Sequence, residues 1–359
     1  MRWDHLKLDD HQETHALPGL RDPAVVRRFD APEALDMRFY EIHAKSVLNR
    51  VPGRSAMPFG WTVNPYRGCS HACKYCFARP THEYLDFGAG RDFEREIVVK
   101  VNAPERLRAD LARRARTPAA AEEVALGTNT DPYQWVESRY RLMPGIWEAL
   151  RDARVPASVL TKSPLLLRDL DLMLQLRDAG GFEAALSVPS LDEAAWRATE
   201  PHTPHPRTRL AAVAELNRVG IPTAVLAAPL MPGINDDPAQ IEALLAACSA
   251  AGAVAVRGIG LHLRGSTRQV FLDWLRDARP DLVDRYEELY RHGPYLPKAE
   301  SLRLTRSISE DERSGPRSWS PVARARFGGT AARPRGGSRP DGGPRRPGSR
   351  RRDVQQSLF

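Results

Sequence analysis

Between Phe59 and His262 the chain alternates short apolar runs with longer helical patterns, and this alternation restricts the fold more than any other feature. The apolar runs cover residues 60–64, 123–127, 157–161, 183–187, 223–227 and 253–257. Helical patterns fill residues 104–116, 138–153, 164–179, 207–219 and 238–251. Three of them open on a proline, which suits a first helical turn, and Gly180, Gly220 and Gly252 stand where helices commonly stop. Six such units predict a parallel sheet with right-handed crossovers. Six units curl toward a partial barrel, although alternation alone leaves a doubly wound sheet open. Function is then expected at the carboxyl ends of the strands.

Three of the four cysteines fall in one short stretch, Cys69-Ser70-His71-Ala72-Cys73-Lys74-Tyr75-Cys76. Three thiolates fill three of the four iron positions of a [4Fe–4S] cube and leave one iron open, whereas structural metal sites are mostly closed by four ligands. A zinc site that recruits His71 is the alternative, and it requires the chain to fold back sharply beside Cys69. A disulfide suits the chain less, because four cysteines in 359 residues and a polar start, Met1-Arg2-Trp3-Asp4, are not the usage of an exported protein. Cys248 lies in an alanine-rich helical pattern and reads as a small buried hydrophobe.

The hydrophobic content of 42% is enough for a core. No window approaches the run of about eighteen apolar residues that would predict a membrane span, so the expected location is cytoplasmic. The net charge of +8 is unevenly spread, since residues 313–352 hold twelve arginines against one acid, Asp341. That segment is rich in glycine and proline and has almost nothing to bury, which is the composition of a disordered chain.

Polar residues at the expected strand ends are the site candidates. They are Thr128-Asn129-Thr130-Asp131 after the second strand, Lys162 after the third and Ser187 after the fourth, followed by Glu200-Pro201-His202-Thr203-Pro204-His205-Pro206-Arg207-Thr208-Arg209. Asp131 ahead of Pro132 also suits a plain turn. His202 and His205, lying between prolines, suit surface or capping roles better than metal binding. Asn235 to Asp237 are placed to cap the helix that opens at Pro238. Gly258 and Gly260 at the end of the sixth strand leave room for a planar ligand to approach the backbone.

Together the cysteine run with its preceding Asn64-Pro65-Tyr66-Arg67-Gly68 and following Phe77-Ala78-Arg79, the Thr128–Gln134 segment, Leu160-Thr161-Lys162-Ser163, Glu200-Pro201 and Pro232-Gly233-Ile234-Asn235-Asp236 resemble the radical S-adenosylmethionine (SAM) superfamily, in its spore photoproduct lyase-related, DNA repair photolyase-like branch. The likeness spans about residues 40–265. It implies an α/β fold with a partial (β/α)6 barrel, and a [4Fe–4S] cluster on Cys69, Cys73 and Cys76. SAM would bind near Tyr75, Thr128, Asn129, Thr130, Asp131, Lys162, Ser187, Glu200 and Arg209. Within that set Lys162 and Arg209 are expected at the SAM carboxylate and Ser187 at a ribose hydroxyl. It also implies a low-potential electron donor such as a flavodoxin or ferredoxin. One departure matters: spore photoproduct lyases carry a further cysteine that returns a hydrogen atom to product, and this chain has none between Cys76 and Cys248. The resemblance therefore implies the chemistry of the class without implying that one substrate.

The expected organisation is an N-terminal extension (1–58), the barrel (59–262), a helical segment packed on it (263–305) and a disordered basic tail (306–359). The tail suggests contact with DNA through salt-sensitive phosphate pairing. Its end, Gln355-Gln356-Ser357-Leu358-Phe359, resembles the peptides by which bacterial repair proteins dock on the sliding clamp. A radical SAM enzyme acting on RNA, a protein or a metabolite is the alternative, and a zinc-containing nucleic-acid-binding protein without turnover is a third reading.

Overall fold

The computed structural model describes residues 13–52, 57–117, 122–317 and 319. Three strands open that chain, β1 (Glu13–His15), β2 (Ala24–Arg27) and β3 (Arg38–Ile42). β4 (Leu48–Arg50), β5 (Trp61–Val63) and β6 (Tyr66–Arg67) lead up to the cysteines, and β7 (Glu96–Lys100) follows them. The remaining strands are β8 (Val124–Leu126), β9 (Ala157–Thr161), β10 (Phe182–Ser187), β11 (Thr223–Leu230) and β12 (Val256–Gly260).

The larger sheet runs in the order β12-β11-β10-β9-β8-β5-β4. Its six strands from β5 to β12 are parallel, and β4 adds an antiparallel edge beside β5. Sheet order follows chain order, as successive right-handed β/α units require. Helices Ala103–Arg114, Leu142–Asp152, Leu170–Ala179, Pro206–Arg218 and Pro238–Ala250 occupy the crossovers. Covered on their outer face by these helices, the central strands are largely buried; Val124, Ala125 and Leu126 of β8 are all buried, as are five of the six residues of β10, which is why they read as apolar runs. The result is the α/β architecture of a six-stranded partial barrel.

Two expected helices are interrupted. The 138–153 pattern breaks at Arg141, whose φ is 50°. Glu137 explains the break, because its carboxylate accepts from the Leu142 and Met143 N–H groups at 3.0 and 3.1 Å and restarts the helix there. The 164–179 pattern begins as a 3-10 turn, Pro164–Asp169, before becoming α-helical.

A second sheet, ordered β1-β2-β3-β7-β6, has no counterpart in the sequence reading. It places a short strand, β6, between β5 and the cysteines, so Cys69 leaves the smaller sheet rather than the barrel strand directly. Its strands carry charges that pair across the ladder: Arg38 faces Glu96 at 2.5 and 2.8 Å, and the Tyr40 hydroxyl donates to Glu96 at 2.8 Å.

The carboxyl-terminal part also departs from expectation. The helix Lys298–Ser314 runs through the expected tail boundary at 305/306. Beyond it Trp319 is buried, its indole N–H donating to Asp311 at 2.8 Å. This helix explains the two glycines of β12. A Cβ on Gly258 would stand 2.8 Å from Ile308, and one on Gly260 would stand 2.9 Å from Leu296. Their missing side chains admit this apolar cover, and Gly260 also borders the cleft at the strand ends. The arginine-rich segment from 320 onward and the Gln355 to Phe359 peptide lie outside the described residues. No helix among the described residues is long and apolar enough to cross a membrane.

Candidate active site

The carboxyl ends of the parallel strands open into one cleft of about 230 Å³. Cys69, Cys73 and Cys76 line it from the loop after β6, with His71 and Tyr75 beside them. Asn129 and Asp131 reach it from the end of β8, Lys162 from β9, Ser187 from β10, and Gly260 with His262 from β12. The cysteine loop is held from three sides. Gln134, fully buried, accepts from the Ser70 N–H at 2.9 Å and donates to the Gly68 carbonyl at 3.1 Å. Arg79 is 0% exposed and spends its guanidinium on the Cys73 carbonyl at 2.8 Å, the Ala89 and Gly90 carbonyls at 2.9 Å, and Glu94 at 2.5 Å. The Thr267 hydroxyl donates to the Cys76 carbonyl at 3.0 Å.

Asp131 joins the loop to the barrel. Its carboxylate accepts from the Thr161 hydroxyl at 2.6 Å, the Lys162 N–H at 2.8 Å and the Tyr133 N–H at 2.9 Å, and faces His71 Nδ1 at 3.4 Å. The turn reading of Asp131 is therefore correct, and the same side chain also fixes the cysteine loop. Behind the cleft wall lies a buried charge group. Glu200 accepts from the Tyr75 hydroxyl in a short hydrogen bond and from Arg209 at 2.5 Å, and stands 3.7 Å from Lys162 Nζ. Lys162 donates to the Ser187 hydroxyl at 2.9 Å and lies over the Tyr75 ring.

Burial works to raise the Glu200 carboxyl, but Arg209 and Lys162 outweigh it and hold it below the usual carboxylate range. Burial likewise works against the Lys162 charge, and Glu200 with Cys73 reverses this and raises it above an ordinary lysine. Glu200 thus lies between two cations, and Lys162 faces the cleft as a charged donor. Burial pushes the Cys73 thiol up to about 12 and raises those of Cys69 and Cys76. Such thiols ionise against a strongly positive centre.

Of the residues expected at the cofactor, the structure brings Tyr75, Asn129, Asp131, Lys162 and Ser187 to the cleft with the three cysteines. Thr128, Thr130, Glu200 and Arg209 do not line it. Thr130 is buried and bonds the Tyr66 carbonyl at 2.9 Å. Arg209 is 0% exposed, and its donors go to the Pro204 carbonyl at 2.8 Å, the Ser187 carbonyl at 2.9 Å and Glu200. It braces Glu200 where a second carboxylate partner facing the cleft was expected. His205 caps the helix Pro206–Arg218, accepting from the Arg207 N–H at 3.2 Å, and Asp237 caps the helix Pro238–Ala250. Cys248 is buried in the core away from the cleft. Arg79 stands within the motif that carries the resemblance but without an assigned role, and Thr267, far along the chain, carries no local sign that it holds the cysteines.

The donor set fits an iron–sulfur cube. All four cysteines are free, and three of them line one cleft with the Lys162 ammonium. His71, the fourth ligand of the zinc reading, lines the same cleft, and its Nδ1 faces Asp131 at 3.4 Å.

A parallel partial barrel with a three-cysteine loop at its mouth defines a class. The Radical SAM superfamily model matches residues 63–245, and the chain belongs to that superfamily. "Uncharacterized protein Rv2578c" of Mycobacterium tuberculosis is 50% identical over 79% of this chain and 82% of its own length. "Uncharacterized protein MJ0683" of Methanocaldococcus jannaschii is 28% identical over 55% of this chain and 69% of its own. Among solved structures, spore photoproduct lyase complexed with dinucleoside spore photoproduct shares the fold with a TM-score of 0.55, at 16% identity over 79% of this chain and 81% of that one. A spore photoproduct lyase double mutant with bound AdoMet gives a TM-score of 0.56, also at 16% identity, over 77% of this chain and 80% of that one.

Proposed function

We propose that this radical SAM enzyme holds a [4Fe–4S] cluster on Cys69, Cys73 and Cys76 and binds SAM in the adjoining cleft to act on nucleic acid. Bound together, cluster and SAM would supply a 5′-deoxyadenosyl radical by one-electron cleavage of a carbon–sulfur bond, and that radical would take a hydrogen atom from substrate. The observation that carries the reading is the shared cleft: three free cysteines and the charged Lys162 line it together. Lys162 would hold the SAM carboxylate, with Glu200 and Ser187 fixing its ammonium group. Asn129 and Asp131 would border the methionine end, and Tyr75, pinned by Glu200, would form the wall beside it. Arg79, Gln134 and Thr267 keep the cysteine loop in place, and the apolar cover from Leu296 and Ile308 keeps water from the strand ends. The reductant would be a flavodoxin or ferredoxin.

Two sequence features support a nucleic-acid substrate. The arginine-rich segment would add phosphate contacts without sequence preference. The terminal Gln355-Gln356-Ser357-Leu358-Phe359 would tether the enzyme to a sliding clamp.

Anaerobic reconstitution with iron and sulfide tests the central reading. The expected result is broad charge-transfer absorption, and release of 5′-deoxyadenosine when SAM and dithionite are added. Absence of both with the native chain, or their persistence in a Cys69→Ala/Cys73→Ala/Cys76→Ala variant, overturns it.

A further inference from the structure

The rim of the cleft carries a group of side chains that neither the cysteines nor Lys162 require. Phe77, the residue after the last cysteine, lines the cleft and is 54% exposed, and Ile259 on β12 lines it at 40% exposed. His262 lines the same side, and Tyr295, half-exposed, meets the His262 ring edge to face at 5.2 Å between centroids. The Arg264 guanidinium lies 5.3 Å from the centre of the Tyr295 ring. Burial and the nearby Arg264 lower His262, so its ring presents a neutral π face.

This rim is fixed relative to the cysteines. Thr267 bonds the Cys76 carbonyl, Gly265 sits against Pro80, His262 and Tyr295 bridge through their backbones, and the Tyr290 hydroxyl donates to the Leu261 carbonyl at 2.8 Å. Exposed large hydrophobics scattered singly need no explanation. Here aromatic and apolar side chains gather at one mouth with a guanidinium beside them, all tied to the loop that holds the cysteines.

We propose that Phe77, His262, Tyr295 and Arg264 form a stacking subsite for one unstacked base of a nucleic-acid strand. Flat π faces accept any base, and the guanidinium suits the phosphate that follows it. A base held there stands at the opening of the cleft, so the strand would be engaged single-stranded or with one nucleotide turned out. The subsite draws its chemistry from the radical reading above, while its binding can be measured separately.

The test uses the full-length, anaerobically reconstituted protein and fluorescence anisotropy at raised salt, where phosphate contacts from the basic segment are screened. The probes are a short oligodeoxythymidylate, an oligouridylate and an abasic phosphodiester of equal length. Base-bearing strands are expected to bind about tenfold more tightly than the abasic one, a typical stacking contribution. Tyr295→Ala and, separately, Phe77→Ala are expected to erase most of that preference, and Tyr295→Phe to keep it. Tighter binding of either base-bearing strand than of the abasic one supports the subsite. Equal binding of base-bearing and abasic strands, or a preference that survives both alanine variants, overturns it. Release of 5′-deoxyadenosine from SAM without any strand reports on the radical reading alone, so the two ideas fail separately.

Discussion

Glu200 and Arg209 form an ion pair sealed from solvent, with Arg209 Nη2 2.5 Å from Glu200 Oε2 and side chains 0% and 1% exposed. A buried pair gains little over an apolar core, but removing one member strands the other charge. Glu200→Ala is therefore expected to cost about 3–5 kcal/mol, because Arg209 and Lys162 both lose their carboxylate. Urea denaturation measures this, and a loss below about 1 kcal/mol would contradict the sealed geometry. The pH dependence has a definite sign. Burial opposes the Glu200 charge, yet its cations keep its folded value below the ordinary 4.5. Its stabilising contribution is then full above that pH and disappears as the pH falls through the depressed folded value. Glu200→Gln should flatten this acid limb of the stability profile.

Arg79 makes the second prediction. Its guanidinium fills a socket of main-chain carbonyls from Cys73, Ala89 and Gly90, with Glu94 at its edge. A lysine has one compact ammonium and cannot satisfy acceptors spread around a planar fork. Arg79→Lys should keep the far-ultraviolet spectrum of the native chain but lose much of the iron and sulfide retained after reconstitution. Native stoichiometry in that variant would show that the loop holds itself.

The six barrel strands could be read because a strand within a parallel sheet covered by helices tends to be a short apolar run, as β8 and β10 are. β9 spans the expected 157–161, while β12 lies three residues later than expected, at Val256–Gly260, since Ala253 and Val254 are just as apolar. The smaller sheet escaped notice because β3 and β7 hold Arg38, Glu41, Glu96 and Lys100, and the Arg38–Glu96 pairing exists only after the chain has folded. The cysteines announced themselves by spacing. The residues holding them did not: Thr267 meets Cys76 across 191 residues, a separation that no local pattern encodes. Gly258 and Gly260 show the converse, since a glycine reports that something comes close but not what does.

Lys162 brings a charged ammonium to the lining of the cleft. If it receives the SAM carboxylate, Lys162→Met removes a charge-assisted hydrogen bond contributing about 1.5–3 kcal/mol, or about 10- to 150-fold in affinity. Equilibrium dialysis of SAM against the reconstituted protein reads this, with iron content as a check that the cysteine loop is intact. Unchanged SAM affinity at native iron content would place the carboxylate elsewhere.

One substitution at two glycines should give two different costs. Gly127 follows β8 with φ +79°, and a Cβ there would stand 1.8 Å from the Leu160 carbonyl oxygen of β9. Neither obstacle can yield, because the backbone is in the left-handed region and the neighbour is a paired strand. Gly258 meets only side-chain tips, Ile308 at 2.8 Å, Leu230 at 3.2 Å and Thr305 at 3.4 Å, which are able to shift. Gly127→Ala should therefore cost more than about 3 kcal/mol and disturb the Lys162 end of the cleft, whereas Gly258→Ala should cost about 1 kcal/mol. Thermal melting of the two variants beside the native chain decides the matter: equal shifts would mean that the turn leaving β8 has room beside β9 that this structure does not give it.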